Sequence, residues 1–357
     1  MNDTNRRTSR STRSADSIEV SGVLETIASG ISMVLVRPWL LLIPLLADIV
    51  AWLGVQISGQ PLISGMQTLM IEQGGSNGPA AAEELARIGD NLRVNDILSS
   101  LTPSVMSGLP NDSFLNLVIG TLVPAATSGV DRRDMYDGWG DGLGRMIEPV
   151  NGLGVMAWAL LFFIGATLIL AAYKAPLAQA VRGERFRLSR LLNDVLLGWV
   201  RIVALIAIVV VGAAILLIPF FMLALVVALF GINLAALLSL ALFVFGSVGS
   251  LYVYFMLDAM FIYRVGPIRA TRMSVSIAKF NFTDAWRFAA ASILIASGLI
   301  QVWNVLIASP PGIIMAFFVN ALLGTGLSIA SMMFFHDRAR LPRPVLPTRS
   351  LDPLRNF

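Results

Sequence analysis

From Ile202 to Leu257 the chain carries no charged side chain, and neither does the stretch from Leu153 to Tyr173. A helix in a soluble domain keeps one wet, polar face, so runs this long and this apolar have no place in such a fold. About 20 apolar residues at about 1.5 Å rise each do match the roughly 30 Å of a bilayer's hydrocarbon layer. Composition agrees: 56% of residues are hydrophobic and 13% charged, against about 45–50% and about 25% in a soluble domain. The sequence therefore reads as an all-α, polytopic membrane protein.

Apolar runs and their flanks set the expected organisation. Residues 1–17, with Arg6, Arg7, Arg10 and Arg13 among Ser and Thr, bury nothing and read as a disordered basic tail. Residues 18–37 repeat apolar positions every three to four residues, which predicts an amphipathic helix in the interface or an extension of the first span. That span is 38–58, with Trp39 and Trp52 near its ends as interfacial anchors. A polar insertion, 59–151, follows, with helix-compatible pieces at 61–73, 80–89 and 113–124. The remaining spans fall in 152–336. The second closes at Lys174 and Pro176, and a basic amphipathic connector leads from it to a long apolar stretch, 200–263. Pro219, Gly231-Ile-Asn233 and Gly246-Ser-Val-Gly-Ser250 interrupt that stretch. The last two spans, 288–308 and 312–335, meet in the turn Ser309-Pro310-Pro311-Gly312, and 337–357 is an Arg/Pro-rich tail.

Charge fixes the count. Of the 26 basic residues, five lie in 59–151, beside eleven carboxylates. The others flank the spans, at Arg6–Arg37, Lys174–Arg201, Arg264–Arg287 and Arg338–Arg355. Two spans in 200–263 put all of these on one side of the bilayer, whereas three would move 264–287 to the other. The positive-inside rule thus predicts six transmembrane helices, both termini cytoplasmic, and a small helical extracytoplasmic insertion. In a bacterial cell that places the chain in the plasma (inner) membrane.

The inventory removes whole classes of chemistry. With no cysteine, thiolate metal sites, iron–sulfur ligation and disulfides are excluded, and a single histidine, His336, cannot furnish a two-imidazole metal site. No GxSxG elbow or Walker A loop occurs, so no enzyme, cofactor or metal is expected. The basic excess belongs to membrane flanks and does not predict nucleic-acid binding. The expected partners are the lipid bilayer and a membrane protein or ATPase subunit.

Several features carry candidate chemistry. Asp48 stands midway along the first span, where an ionisable group costs about 2.5–3.5 kcal/mol on insertion scales. It reads either as a proton- or cation-linked site or as a protonated structural acid, bonded to a carbonyl freed by Pro44 or to a polar group such as Asn320. Asp258, near the cytoplasmic end of the fourth span, is expected to form an interfacial ion pair with Arg264 or with an arginine of a neighbouring connector. The segment Asp131-Arg-Arg-Asp134-Met-Tyr-Asp137-Gly-Trp-Gly-Asp141 lacks the two-residue acid spacing of a calcium loop and reads as a solvated outer loop. Asp141-Gly142-Leu143-Gly144-Arg145 brushes a CDP-alcohol phosphotransferase pattern but lacks its downstream aspartates. His336 reads as a headgroup-layer residue, and Gly246, Ser250, Gly324, Ser328 and Ser331 as small residues that let helices approach.

Residues 196–340 resemble bacterial multi-pass proteins related to the membrane domain of some glycerophosphodiester phosphodiesterases. The likeness rests on Ser276, Asn281, Phe282 and Trp286 and on a last span ending in aromatic-x-Asp-Arg. It implies a multi-pass membrane domain and no catalytic residues, and the 59–151 insertion departs from the family's short first loop. The topology separately resembles an exporter permease of the ABC-2 type, with an interfacial N-terminal helix and a basic connector after the second span. Taken with the absent catalytic motifs, the first likeness leads to the expectation of a non-enzymatic protein that binds or moves an amphipathic small molecule or lipid, or scaffolds membrane partners. The second implies a transport subunit docking an ATPase through Arg182–Leu192.

Overall fold

The computed structural model describes residues 22–53, 56–57, 60–73, 79, 82–83, 146–147, 152–228, 249, 252, 254–306 and 309–340. These form helices α1 (Val23–Val36), α2 (Leu42–Leu53), α3 (Gln60–Gln73), α4 (Gly152–Val181), α5 (Leu188–Ala228), α6 (Met256–Ile262), α7 (Pro267–Phe280), α8 (Phe282–Leu306) and α9 (Pro310–Arg340). The only strand pairing among them is a two-residue parallel ladder of Gln56–Ile57 with Met146–Ile147. The tail 1–17, most of the insertion including 113–124 and Asp131–Asp141, and 341–357 lie outside the described residues.

Local chemistry sets the helix ends. The backbone N–H of Gly22 donates to the Glu25 carboxylate at 3.3 Å, and the Thr26 hydroxyl donates to the Gly22 carbonyl at 2.9 Å, which starts α1. Arg37 ends it because Pro38 disfavours helical backbone in the residue before it. The chain then turns through a short 3₁₀ segment, Pro38–Leu41, so that α1 and the following helix meet at 98°. The end of α4 is a Schellman motif: Gly183 takes φ of 68°, its N–H donates to Ala180, and that of Glu184 donates to Gln179. A side chain would strain that left-handed turn.

Three helices among the described residues are long and apolar enough to cross a membrane: Gly152–Val181, Leu188–Gly212 and Pro311–Arg340. The bent pair formed by α1 and Pro38–Val50 would make a fourth if it is one span. Helix α9 is the axle of the bundle, with 61% of its most apolar window buried, against 17% for α5. It packs against α1, α2, α4, α6 and α8. Along α5, Leu192, Leu196, Val200, Val203 and Ile208 point outward. So large an uncovered apolar face suits hydrocarbon rather than water. The core also holds a cluster of aromatic rings. Phe334 stacks on Phe255 at 5.2 Å and meets Phe288 at 4.8 Å between ring centroids.

The helices differ from the expected boundaries in three places. Helix α4 passes through Lys174 and Pro176 and ends at Val181, so the second span does not close at Lys174. Helix α5 begins at Leu188, which leaves only residues 182–187 as connector, and it continues through Pro219. A proline removes one N–H and crowds the preceding turn, but the flanking apolar residues keep both sides helical. Helix α9 likewise runs past His336 to Arg340, so the first residues of the tail are helical.

Several chain ends meet at one end of the bundle. Arg37 donates to the Ala180 carbonyl at 3.4 Å, and Arg182 to the Phe261 carbonyl at 2.6 Å. The Tyr263 hydroxyl lies 3.3 Å from His336 Nδ1, and Arg338 reaches Asp284 at 3.3 Å while its guanidinium lies 3.6 Å above the Phe334 ring.

Candidate functional site

The described core holds a lysine and an aspartate in contact. Lys174 on α4 is fully buried, and its Nζ lies 3.4 Å from Oδ1 of Asp258 on α6. The same Nζ donates to the hydroxyl of Ser328 at 2.9 Å, and the hydroxyl of Ser331 donates to the other Asp258 oxygen at 2.5 Å. Thr325, one turn back on α9, accepts from the Tyr173 hydroxyl at 3.4 Å. Thr325, Ser328 and Ser331 recur every three residues, which puts them on one side of α9. Three helices thus converge on one ammonium–carboxylate pair.

This corrects the expected partner of Asp258. The carboxylate faces inward to Lys174, and Arg264 turns instead to Asp194 and Glu184. The physical reason is the length of α4. Because it stays helical to Val181, Lys174 sits seven residues inside the bundle and needs a counter-charge there. Ser328 and Ser331, read as packing residues, also supply hydroxyls to that pair. Lys174 is the residue that sequence reasoning missed. The signal was available, since the eight residues Lys174–Val181 hold no other charge.

A second network closes the end of the bundle. Arg264 holds Asp194 with two bonds, Nε to Oδ1 at 2.9 Å and Nη2 to Oδ2 at 2.8 Å, and reaches Glu184 at 3.1 Å. Arg182 binds Glu184 at 2.9 Å and Asp194 at 3.3 Å, and Gln179 adds a bond to Asp194 at 3.3 Å. Arg264 has a left-handed backbone, φ 52°, a conformation costly for any residue but glycine. The two-pronged grip on Asp194 compensates. Burial alone would raise the Glu184 carboxyl, but Arg182 and Arg264, through hydrogen bonds and charge, outweigh it and hold it below its ordinary 4.5. A carboxyl depressed in the folded state stabilises the fold above its unfolded value, and that contribution fades as pH falls through the folded one. Acid unfolding below about pH 4.5 should therefore be less steep in Glu184→Gln than in the native protein. Parallel acid titrations followed by tryptophan fluorescence measure this, and identical curves would refute it.

Asp48 is fully buried on α2, which packs against α4 and α9. Asn320 is buried on α9, but its Nδ2 donates to no described residue, so the two are not joined by an amide-to-carboxyl hydrogen bond. Asp48→Asn keeps shape and polarity and should match the native protein in thermal stability in detergent. Asp48→Leu should lose about 1–3 kcal/mol, the cost of stranding buried polar groups. Equal stability of the Leu variant would deny Asp48 a buried polar role. Among the described residues no three His, Asp or Glu side chains converge as a metal site.

Apolar outer faces and a charged, hydrogen-bonded centre define the class: a membrane-embedded helical bundle. No family model, curated protein or solved structure matches the chain.

Proposed function

We propose that the protein is a non-enzymatic, six-span membrane protein of a bacterial plasma membrane that binds or moves an amphipathic small molecule or lipid, or scaffolds membrane partners. The Lys174–Asp258 pair carries this reading. Ionisable groups inside membrane helices are costly and usually serve function, and Pro176, two residues beyond Lys174, leaves the carbonyl of Ala172 without its helical donor. A polar headgroup could exchange into such a centre while its tail follows the apolar helix faces. The loose likeness to the membrane domain of glycerophosphodiester phosphodiesterases fits this reading.

Parity of the chain ends supports six spans with cytoplasmic termini. Arg37, Ala180, Arg182, Phe261, Tyr263, Asp284, His336 and Arg338 are joined by the contacts above at one end of the bundle, an arrangement that fits an even number of crossings between successive segments there. Reporters fused at Gly183, Ala278 and Pro347 should read cytoplasmic and one at Gly78 external. An external signal at Ala278 would break the parity.

The functional test is native mass spectrometry of the gently solubilised protein. The native chain should retain a small amphipathic molecule or a partner that the Lys174→Met, Asp258→Leu double variant releases while still folded. Full retention by the folded double variant would make the pair structural and remove the basis of the reading. A second reading, the permease subunit of an ABC-2-type exporter, draws on the 98° elbow between α1 and the first span, which matches that topology's interfacial entry helix. It requires an ATPase in the pull-down, and a partner set without one overturns it.

A further inference from the structure

The elbow between α7 and α8 carries cations that no described carboxylate neutralises. Arg269, Arg272 and Lys279 on α7 and Arg287 at the start of α8 are exposed, and none forms a salt bridge among the described residues. Helix α7 contains no acidic residue. At that end Glu184 and Asp194 are committed to Arg182 and Arg264, and Asp284 to Arg338, while Asp337 on α9 forms no salt bridge with the elbow's cations. The elbow therefore presents surplus positive charge.

Its apolar residues are placed with equal regularity. Ala270, Ser274, Ile277 and Ala278 face the bundle, so the opposite stripe is Ile268, Arg272, Val275 and Lys279, at spacings of four, three and four. Aliphatic and basic side chains alternate along it. Asn281 closes α7, with its N–H donating to Ile277, and its carbonyl accepts from Ala285 to start α8. That tight junction leaves Phe282 and Trp286 one turn apart, both about half exposed, beside the exposed Phe280. From Phe288 onward α8 is largely apolar, and the six-span reading makes it the fifth span, so on that reading the elbow sits where it meets the polar layer. Aromatic rings with Lys and Arg at that depth are the composition of an interfacial anchor.

We propose that the α7–α8 elbow is a docking surface for anionic phospholipid headgroups, with Arg269, Arg272, Lys279 and Arg287 holding the phosphates and Phe280, Phe282 and Trp286 seated between acyl chains. An acidic protein would satisfy the cations but leave Ile268, Val275 and the aromatic wedge against water. A zwitterionic surface would cover the wedge but leave the charge unmatched. Only an anionic leaflet matches both, and each basic side chain near such a surface adds attraction that falls away within a Debye length. The inference rests on the six-span reading in taking α8 as a span, and is independent of what Lys174 and Asp258 bind.

The test reconstitutes the full chain in nanodiscs of phosphatidylcholine alone or mixed with phosphatidylglycerol, and reads lipid retained on release by native mass spectrometry. The native protein should retain phosphatidylglycerol in preference to phosphatidylcholine, with higher thermal stability in the mixed discs, and added salt should reduce both. Neutralising all four cations to Gln should cut that retention roughly tenfold or more, with stability in phosphatidylcholine discs unchanged. Retention without preference, or an undiminished preference in the folded quadruple variant, would overturn the proposal. So would displacement of the retained lipid by soluble glycerol phosphate at constant ionic strength, or an acidic protein recovered in its place. Loss of the Lys174–Asp258 function alone would leave this result unchanged.

Discussion

Asp258→Leu should destabilise the folded protein by about 3–5 kcal/mol, the cost of leaving a buried charge without its partner. Lys174 is fully buried with Ser328 and Asp258 beside its ammonium, so removal of the carboxylate takes away the counter-charge of a buried ammonium. Lys174→Met should cost a similar amount, since it leaves the buried Asp258 carboxylate without the ammonium that balances its charge. The double variant, Lys174→Met with Asp258→Leu, should recover most of the loss, because an ion pair of this depth gains little over an apolar pair of similar volume. Asp258→Asn should fall between, retaining an acceptor for Ser331 but no charge for Lys174. Thermal unfolding of the four proteins in one detergent closes the double-mutant cycle. Additive losses would mean that the two groups do not depend on each other, and the site described above would not exist.

The membrane class was legible because it rests on charge-free runs such as Ile202–Leu257, and no tertiary contact changes what such a run can face. The crowding of basic residues at one end was legible for the same reason, as their electrostatic preference is a property of each flank. The site was only half visible. Asp258 stands out as a lone acid after a long apolar run, but its partner is 84 residues away on another helix, and sequence neighbourhood points to Arg264. That arginine is six residues on but belongs to a connector held outward by Asp194 and Glu184. Lys174 was hidden by Pro176, which resembles a helix end and is tolerated within α4. The role of the serines could not be read at all, since a small polar residue in a membrane helix suits close packing and hydrogen bonding equally.

Gly30→Ala should be the most disruptive single-methyl change at the crossing of α1 over α9. A Cβ at Gly30 would collide with the Gly326 carbonyl and come within 2.8 Å of both the Cβ and the N of Ala330, two of these three atoms being backbone. A Cβ at Gly326 meets Ile31, whose Cγ1 at 2.7 Å can swing aside though its Cα at 3.1 Å cannot. Alanine exceeds glycine in helix propensity by about 1 kcal/mol, so a net loss at either position measures the crossing of α1 over α9 and not the helix itself. Overpacking of this kind costs about 1–3 kcal/mol, and Gly30→Ala should lie above Gly326→Ala within that range. Gly212→Ala, where a Cβ meets nothing within 4 Å, should be neutral or slightly stabilising and serves as the control. The crossing also bears on the polar centre. Gly326 stands between Thr325 and Ser328 on α9, so a methyl group that pushes α9 from α1 moves the hydroxyls facing Lys174. Gly30→Ala combined with Ser331→Ala should therefore cost measurably less or more than the sum of the two, by about 0.5 kcal/mol or beyond. Strict additivity would separate the seam from the site.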